Sequence, residues 1–126
     1  MEMLTITPRT APSDPAVTVI DLMGELDINT VGVLETEFDQ LWKRKRYKIV
    51  LNFEKLTYSS TAGIGFLMGK VHRIRKKGGD ILIVGLRPEV YRLFDLLELF
   101  GLFNTLPTEQ DAIAVFAVDA VGAPRK

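Results

Sequence analysis

The sequence contains no cysteine and only one histidine, His72. Without cysteine, the chain can form no disulfide and offers neither a thiol nucleophile nor a cysteine-based zinc site. A single histidine is too few for a histidine-ligated metal centre. These two absences exclude several classes of enzyme and predict that the chain holds no metal.

The chain also lacks an excess of charge of either sign, and it lacks long apolar runs. Sixteen Lys and Arg residues balance sixteen Asp and Glu residues, which argues against a dedicated nucleic-acid-binding protein. No segment approaches the roughly 18 consecutive apolar residues of a membrane span, and no basic segment followed by an apolar run opens the sequence. We therefore expect a soluble, cytoplasmic protein that contacts neither nucleic acid nor a membrane directly.

The sequence does contain enough apolar residues for one domain. Of its 126 residues, 47% are hydrophobic and 25% are charged, as in ordinary globular proteins. No repeat, linker or low-complexity tract divides the chain, so we predict a single domain over residues 1–118. Residues 119–126 contain small residues, a proline and two terminal cations, and we predict a flexible tail there.

The hydrophobic pattern alternates between strand and helix along the chain. Short β-branched runs predict buried strands, and apolar residues at helical spacing predict the helices between them. The predicted strands run from Leu4 to the residue before Pro8 and over Ala16–Met23, Ile49–Phe53, Asp80–Gly85 and Phe103–Leu106, with a turn at Arg9–Pro15. The first predicted helix runs from a cap at Asn29 or Thr30 to about Arg44. The second has Ile64, Leu67, Met68, Val71 and Ile74 on one face and ends at Gly78–Gly79. The third begins at Arg87 and has Val90, Leu93, Phe94 and Leu97 on its inner face, and the fourth runs from Thr108 to about Val118.

This order of elements predicts an α/β fold. We expect a mixed β-sheet with central parallel strands and an antiparallel N-terminal hairpin, covered by about four helices. The third helix is apolar almost all round, and one helix on a sheet cannot bury all of these side chains. Either some of them pack under the final helix, or Leu96, Leu99 or Phe103 belong to an exposed patch that marks a partner or dimer surface.

Three consecutive hydroxyl residues, Ser59, Ser60 and Thr61, stand at the junction between the third strand and the second helix. Such junctions gather ligands in parallel sheets, and the free N–H groups at a helix start favour an anion. Gly63 and Gly65 leave the first helical turn open to close approach. The alternative is structural, because Ser and Thr are favoured helix caps and glycine permits tight packing of a helix on a sheet.

No catalytic group accompanies these hydroxyls in the sequence. A serine or threonine nucleophile needs a base beside it. His72 lies eleven residues beyond Thr61 on the same predicted helix, or about 16 Å at 1.5 Å per residue. A P-loop lysine is also absent, so the sequence predicts neither a hydrolase nor a nucleotide site.

Two groups of charged residues each have two interpretations. Glu25 and Asp27 precede the first helix, where carboxylates either favour the helix start or recognise a partner. The basic run Lys43–Arg46, followed by Lys48, is either the solvated end of the first helix or a contact for nucleic acid or anionic lipid. The balanced total charge favours the first interpretation of the basic run.

Six short segments form an ordered set that extends over most of the chain. They are Gly24-Glu25-Leu26-Asp27, Ile49-Val50-Leu51-Asn52, Ser60-Thr61-Ala62-Gly63-Ile64-Gly65, Lys77-Gly78-Gly79, Val90-Tyr91-Arg92-Leu93-Phe94 and Leu99-Phe100. Together they resemble the STAS domain, and more specifically the bacterial anti-sigma factor antagonists. The resemblance covers about Leu4 to Val118 and implies a STAS-like sheet.

The resemblance implies a regulator without catalytic activity. Antagonists of this kind bind an anti-sigma factor that is also a serine kinase, release it when the kinase phosphorylates them, and are reset by a phosphatase. The phosphoacceptor position falls on Thr61, with Ser60 and Ser59 as alternatives, and Ser60 stands where the family carries an acidic residue. The nucleotide belongs to the kinase, so no cofactor is expected on this chain.

The resemblance also implies a surface for the partner. Its residues are Glu25, Asp27, Asn29, Ser60, Thr61, Ala62 and Gly63. Phosphorylation there would add nearly two negative charges and weaken the complex. The alternative interpretation, which the serine at the acidic position favours, is a constitutive STAS scaffold or a small-anion-binding subunit that phosphorylation does not regulate.

Overall fold

Strands and helices alternate along the chain in the order that the hydrophobic pattern predicts. The computed structural model describes residues 3–120. Its strands are β1 Leu4–Ala11, β2 Asp14–Leu26, β3 Lys48–Ser59, β4 Asp80–Val84 and β5 Asn104–Leu106. Its helices are α1 Val31–Lys43, α2 Thr61–Lys76, α3 Pro88–Leu96 and α4 Glu109–Ala120, with a short 3₁₀ turn at Leu99–Gly101.

The five strands form one mixed sheet in the spatial order β1-β2-β3-β4-β5. β1 and β2 form an antiparallel hairpin, and the other three neighbouring pairs are parallel. The predicted fold class is therefore confirmed. The turn predicted at Arg9–Pro15 is present but shorter, because β1 continues through Pro8, which stands opposite Ile20, as far as Ala11, and only Pro12 and Ser13 separate it from β2. Pro8 is tolerated because β1 is an edge strand, where a missing N–H need not break a ladder.

The two faces of the sheet are covered unequally. α1, α2 and α3 pack on one face and build the larger core, whereas α4 packs Ala112 and Phe116 on the other face. Leu99 and Phe103 join the larger core, so neither of the two expectations for them holds: they are not exposed and they do not lie under α4. Leu96, by contrast, is 77% exposed on α3.

Some predicted boundaries and faces differ in detail. β3 is longer than predicted and runs from Lys48 to Ser59, because its second half pairs only with β2. Met68, predicted on the inner face of α2, is exposed, since the buried stripe of that helix is narrower. Of the predicted tail, α4 includes Asp119 and Ala120, and residues 121–126 lie outside the described residues.

Candidate functional site

The hydroxyl residues of the β3–α2 junction lie at one end of the sheet, where β2 and β3 project beyond β4. β4 pairs with β3 only as far as Asn52, whereas β2 accompanies β3 to the end of both strands. Leu26 stands opposite Ser59 there, and the Ser60 N–H donates to the Leu26 carbonyl at 2.8 Å. The β2–α1 loop and the β3–α2 junction are therefore held side by side. We call this end of the molecule the tip.

The three hydroxyls occupy three different environments at the tip. Ser59 is buried, and its hydroxyl donates to the Ser60 carbonyl at 3.2 Å. Ser60 is the N-cap of α2, and its Oγ accepts the Gly63 N–H at 3.2 Å. Thr61 is the first residue of α2 and is exposed, and its hydroxyl has no hydrogen-bond partner among residues 3–118. Thus the Ser59 hydroxyl is buried, the Ser60 hydroxyl caps α2, and the Thr61 hydroxyl faces solvent.

Gly63 lets the start of α2 lie against the end of β2. A Cβ at this position would stand 2.7 Å from Leu26 Cγ and 3.2 Å from the Leu26 carbonyl oxygen. Because Leu26 is fully buried, its side chain has little room to move. Gly65 differs from the prediction, since it is exposed and its Cβ would meet nothing within 4 Å.

The β2–α1 loop is organised by hydrogen bonds of Asp27 and Thr30. Asp27 Oδ1 accepts the N–H groups of Asn29 and Thr30 at 2.8 and 3.1 Å. The Thr30 hydroxyl accepts the Asp27 N–H at 2.9 Å and donates to the Glu25 carbonyl at 2.8 Å. Thr30 is the N-cap residue of α1 by position, but its hydroxyl turns back into the loop and does not cap. Asp27 therefore shapes the turn, while the Glu25 carboxylate has no hydrogen bond or ion pair among the described residues.

The structure places residues at the tip that sequence reasoning missed. Ile28 in the β2–α1 loop is 71% exposed, and Tyr58 near the end of β3 is 48% exposed. Arg87, which precedes α3, lies outside the tip and donates to the Glu54 carbonyl in the middle of β3 at 3.5 Å. Alternation along β3 would not have indicated Tyr58, because two exposed residues separate successive buried ones in this part of the strand and its pairing with β2 is irregular there.

The start of α2 favours an anion, and the single histidine of the chain lies far from it. The first N–H groups of α2 and its helix dipole give this end a partial positive charge. His72 is exposed on the continuous helix α2, eleven residues beyond Thr61, which confirms that the two lie far apart on one helix. Within residues 3–118 no group of three or more His, Cys, Asp or Glu side chains is placed to hold a metal ion. No helix in the described part of the chain has the length and apolar character needed to cross a membrane.

The titratable groups with shifted pKa values lie on the α4 face and not among the hydroxyls. Arg9 of β1 donates to Glu109 of α4 at 2.6 Å and to Asp21 of β2 at 2.8 Å. The hydrogen bonds with Glu109 and Asp21 raise the pKa of Arg9. The hydrogen bond from Arg9 lowers the pKa of Asp21, against an opposing effect of burial and with support from Asn52. This network joins three elements.

The amino-acid sequence of the chain is similar to those of known proteins. The family model described as "STAS domain" matches residues 9–112. The anti-sigma F factor antagonist of Paenibacillus polymyxa is 29% identical over 103 residues, which are 81% of this chain and 88% of that protein.

Solved structures show the same fold at lower identity. The crystal structure of an anti-sigma factor antagonist from Mycobacterium paratuberculosis aligns with a TM-score of 0.78 at 21% identity, over 89% of this chain and 92% of that one. The Bacillus cell fate determinant SpoIIAA in its phosphorylated form aligns with a TM-score of 0.66 at 22% identity, over 89% of this chain and 99% of that one. The fold of these proteins and the fold described above are thus alike.

Proposed function

This chain belongs to the STAS domain family, and from that membership and its antagonist relatives we propose that it is an anti-sigma factor antagonist switched by phosphorylation at Thr61. In its unmodified form it occupies an anti-sigma factor and so frees a sigma factor. The partner is also a serine kinase and supplies the nucleotide. Phosphorylation releases the antagonist, a separate phosphatase resets it, and the exchange takes place in the cytoplasm.

One observation carries the choice of Thr61 as the phosphoacceptor. A kinase needs a hydroxyl that it can reach and deprotonate, and of Ser59, Ser60 and Thr61 only Thr61 is exposed and without a hydrogen-bond partner in the described structure. Ser60 is half-buried, and its Oγ is already engaged with the Gly63 N–H. Phosphorylating Ser59 would require its buried hydroxyl to come out of the protein.

The serine at the family's acidic position is compatible with this function. Ser60 caps α2 by accepting the Gly63 N–H, and Asp and Ser are about equally good in that position. The capping role is therefore preserved without the charge. What the chain lacks is the negative charge beside the acceptor, and we expect its kinase to recognise an uncharged neighbour.

The partner surface that we propose is the tip. Glu25, Asp27 and Asn29 line one side of it, and Ser60 to Gly63 line the other, held together by the hydrogen bond from Ser60 to Leu26. The exposed Ile28 and Tyr58 add apolar area between the polar groups, as a specific interface requires. The surface that we propose for a homodimer contact is around Leu96 on α3, which is 77% exposed.

Phosphate at Thr61 acts as a switch through charge and solvation. It adds nearly two negative charges and three acceptor oxygens at the start of α2, where the helix dipole tolerates them. In the complex the same group faces the partner and must lose its water or meet other anions. About 3 kcal/mol of such a cost lowers the affinity a hundredfold.

The experiment combines phosphosite mapping with binding to the partner. The wild-type chain is used to capture its anti-sigma factor from the native host, and the complex is then incubated with ATP. We expect mass spectrometry to find phosphate on Thr61 and on neither serine. Thr61→Glu should lose at least a hundredfold in affinity for the captured kinase.

The control is Thr10→Glu, which places the same charge on an exposed residue of β1 far from the tip. It should leave the affinity within about twofold, as expected for a remote surface substitution. If Thr61→Glu retains the partner, or if Thr61 is never modified, the proposal fails and the constitutive STAS scaffold takes its place.

A further inference from the structure

Half of the cationic side chains lie at the end of the molecule opposite to the tip. The ends of α1 and α2 and the starts of β3 and β4 meet there, because β3 and β4 are parallel and Lys48 stands opposite Asp80. We call this end the basic pole and define it by eight of the sixteen Lys and Arg residues, namely Lys43, Arg44, Lys45, Arg46, Lys48, Arg73, Lys76 and Lys77. The zero net charge of the chain therefore does not reflect how unevenly its cations are distributed.

At the basic pole the α1–β3 turn is in close contact with the α2–β4 turn, which is distant in the sequence. The Asp80 N–H donates to the Tyr47 carbonyl at 2.9 Å. Gly79 lies so close that a Cβ there would stand 1.9 Å from the Tyr47 carbonyl oxygen. Between the turns lies a groove of about 310 Å³, whose lining includes Arg44, Lys45 and Lys48 but no acidic residue.

These cations are not neutralised within the protein. None of the ion pairs found among residues 3–118 involves a member of the basic pole, and the buried Asp80 at this end pairs with Arg75, which is not a member. Arg46 donates to Thr18 Oγ1 and to the Pro15 carbonyl, which are both uncharged acceptors. Arg73 and Lys77 lie over the ring of Trp42, at 4.5 and 5.7 Å from its centroid.

Stabilisation of helix ends explains only part of the cluster. Lys43 and Lys76 lie in the last turns of α1 and α2, where cations offset the helix dipole. Lys48 is the first residue of β3 and lies outside the range of that effect. Lys45 adopts a φ of +57°, a left-handed conformation that glycine or asparagine usually occupies after a helix. Its charge is therefore present at a position where backbone stability favours another residue.

We propose that the basic pole binds the phosphate backbone of double-stranded DNA without reading its sequence. The groove between the two turns is lined by Lys and Arg side chains outside any of these ion pairs and by no carboxylate, which is what backbone binding by counterion release requires. Single-stranded nucleic acid would call for exposed aromatic rings, whereas Trp42 and Tyr47 are half-buried here and Arg73 covers the ring of Trp42. A membrane surface would call for apolar anchors, but none of the exposed large hydrophobic residues belongs to these turns.

This inference revises the expectation from composition and stands apart from the proposed function. A net charge of zero argued against nucleic acid, but binding depends on the local charge of one surface and not on the total. Because the basic pole and the tip are opposite ends, DNA and an anti-sigma factor can be bound at the same time. Thr61→Glu should therefore leave DNA binding unchanged.

The test is fluorescence anisotropy of the full chain with a labelled duplex of about 20 base pairs in about 50 and 200 mM salt. We expect wild-type binding that weakens steeply with salt. The variant Arg44→Gln, Lys45→Gly, Lys48→Gln should lose at least tenfold in affinity and show a smaller salt slope. The matched control, Lys55→Gln, Arg87→Gln, Arg92→Gln, removes three exposed cations elsewhere and should stay within about threefold.

A second variant separates binding from folding. Lys45→Gly alone removes one charge and relieves the left-handed backbone, so it should keep or raise the melting temperature while it weakens DNA binding. The proposal is overturned if the wild type shows no salt-sensitive binding, if the control triple variant loses as much as the basic-pole variant, or if a single strand binds more tightly than the duplex. Binding to vesicles of phosphatidylcholine and phosphatidylserine without binding to the duplex would overturn it as well.

Discussion

At the scale of single residues, Gly63 and Gly65 are two glycines of one helical turn with opposite roles. A side chain at Gly63 would collide with the buried Leu26, whereas a side chain at Gly65 would extend into open space. Gly63→Ala should therefore lower the free energy of unfolding by about 1–3 kcal/mol, since overpacking a closed site forces its neighbours to shift.

Gly65→Ala is the control and should raise the free energy of unfolding by roughly 0.5–1 kcal/mol, because alanine favours a helix more than glycine does. Urea unfolding of both variants measures the difference. Equal effects of the two substitutions would contradict the close contact of α2 with the end of β2.

The same scale separates the three hydroxyls of the junction. Their sequence places them together, but one is buried, one caps a helix and one is exposed. Residue type therefore predicted a hydroxyl-rich junction without indicating which hydroxyl is accessible, because the burial of Ser59 depends on pairing with β2, which is distant in the sequence.

At the scale of elements, α2 depends on its first turn. Ser60 accepts the Gly63 N–H and satisfies one of the N–H groups that a helix start leaves open. Ser60→Ala should lower the free energy of unfolding by about 1 kcal/mol. Ser60→Asp should restore that loss, because aspartate caps as well as serine does.

Thermal or urea unfolding compares Ser60→Ala with Ser13→Ala, a substitution in the exposed β1–β2 turn that should change the free energy of unfolding by less than about 0.5 kcal/mol. A Ser60→Ala variant as stable as the wild type would show that another group caps α2.

Element boundaries were predicted well where local chemistry decides them. Thr108 begins α4 as the sequence predicts, with its Oγ1 accepting the Asp111 N–H at 3.2 Å. Gly78, with a φ of +84°, follows α2 as predicted. The far end of β3 was missed, because the continuation of that strand depends on pairing with β2 and not on its own residues.

At the scale of the whole molecule, Arg9 joins the edge hairpin to the last helix. It contacts Asp21 on β2 and Glu109 on α4, one hundred residues away in the sequence. Arg9 and Asp21 are each about one third exposed, so solvent weakens their attraction. Arg9→Met should lower the free energy of unfolding by about 0.5–1 kcal/mol at neutral pH.

The pH dependence of this effect follows from Asp21, whose pKa the Arg9 guanidinium lowers in the folded state. A carboxyl with a lowered pKa adds stability above its unfolded pKa, which is about 3.9, and loses that stability as the pH falls through the folded value. The gap between wild type and Arg9→Met should therefore narrow below about pH 4. Urea unfolding at several pH values checks this, with Arg92→Met, at an exposed residue of α3, as the control. A gap that stays constant down to the lowest accessible pH would contradict the ion pair.

The sequence by itself determined the order of the elements, the mixed sheet with its antiparallel hairpin, the STAS resemblance and the junction that carries Thr61. These follow from hydrophobic period, capping residues and short motifs, which act over a few neighbouring residues. Only the tertiary structure decided that Leu99 and Phe103 enter the larger core, that Thr61 is the exposed hydroxyl, and that two separate basic segments form one pole. The physical reason is that burial and local charge depend on contacts between segments far apart in the chain, which no local pattern encodes.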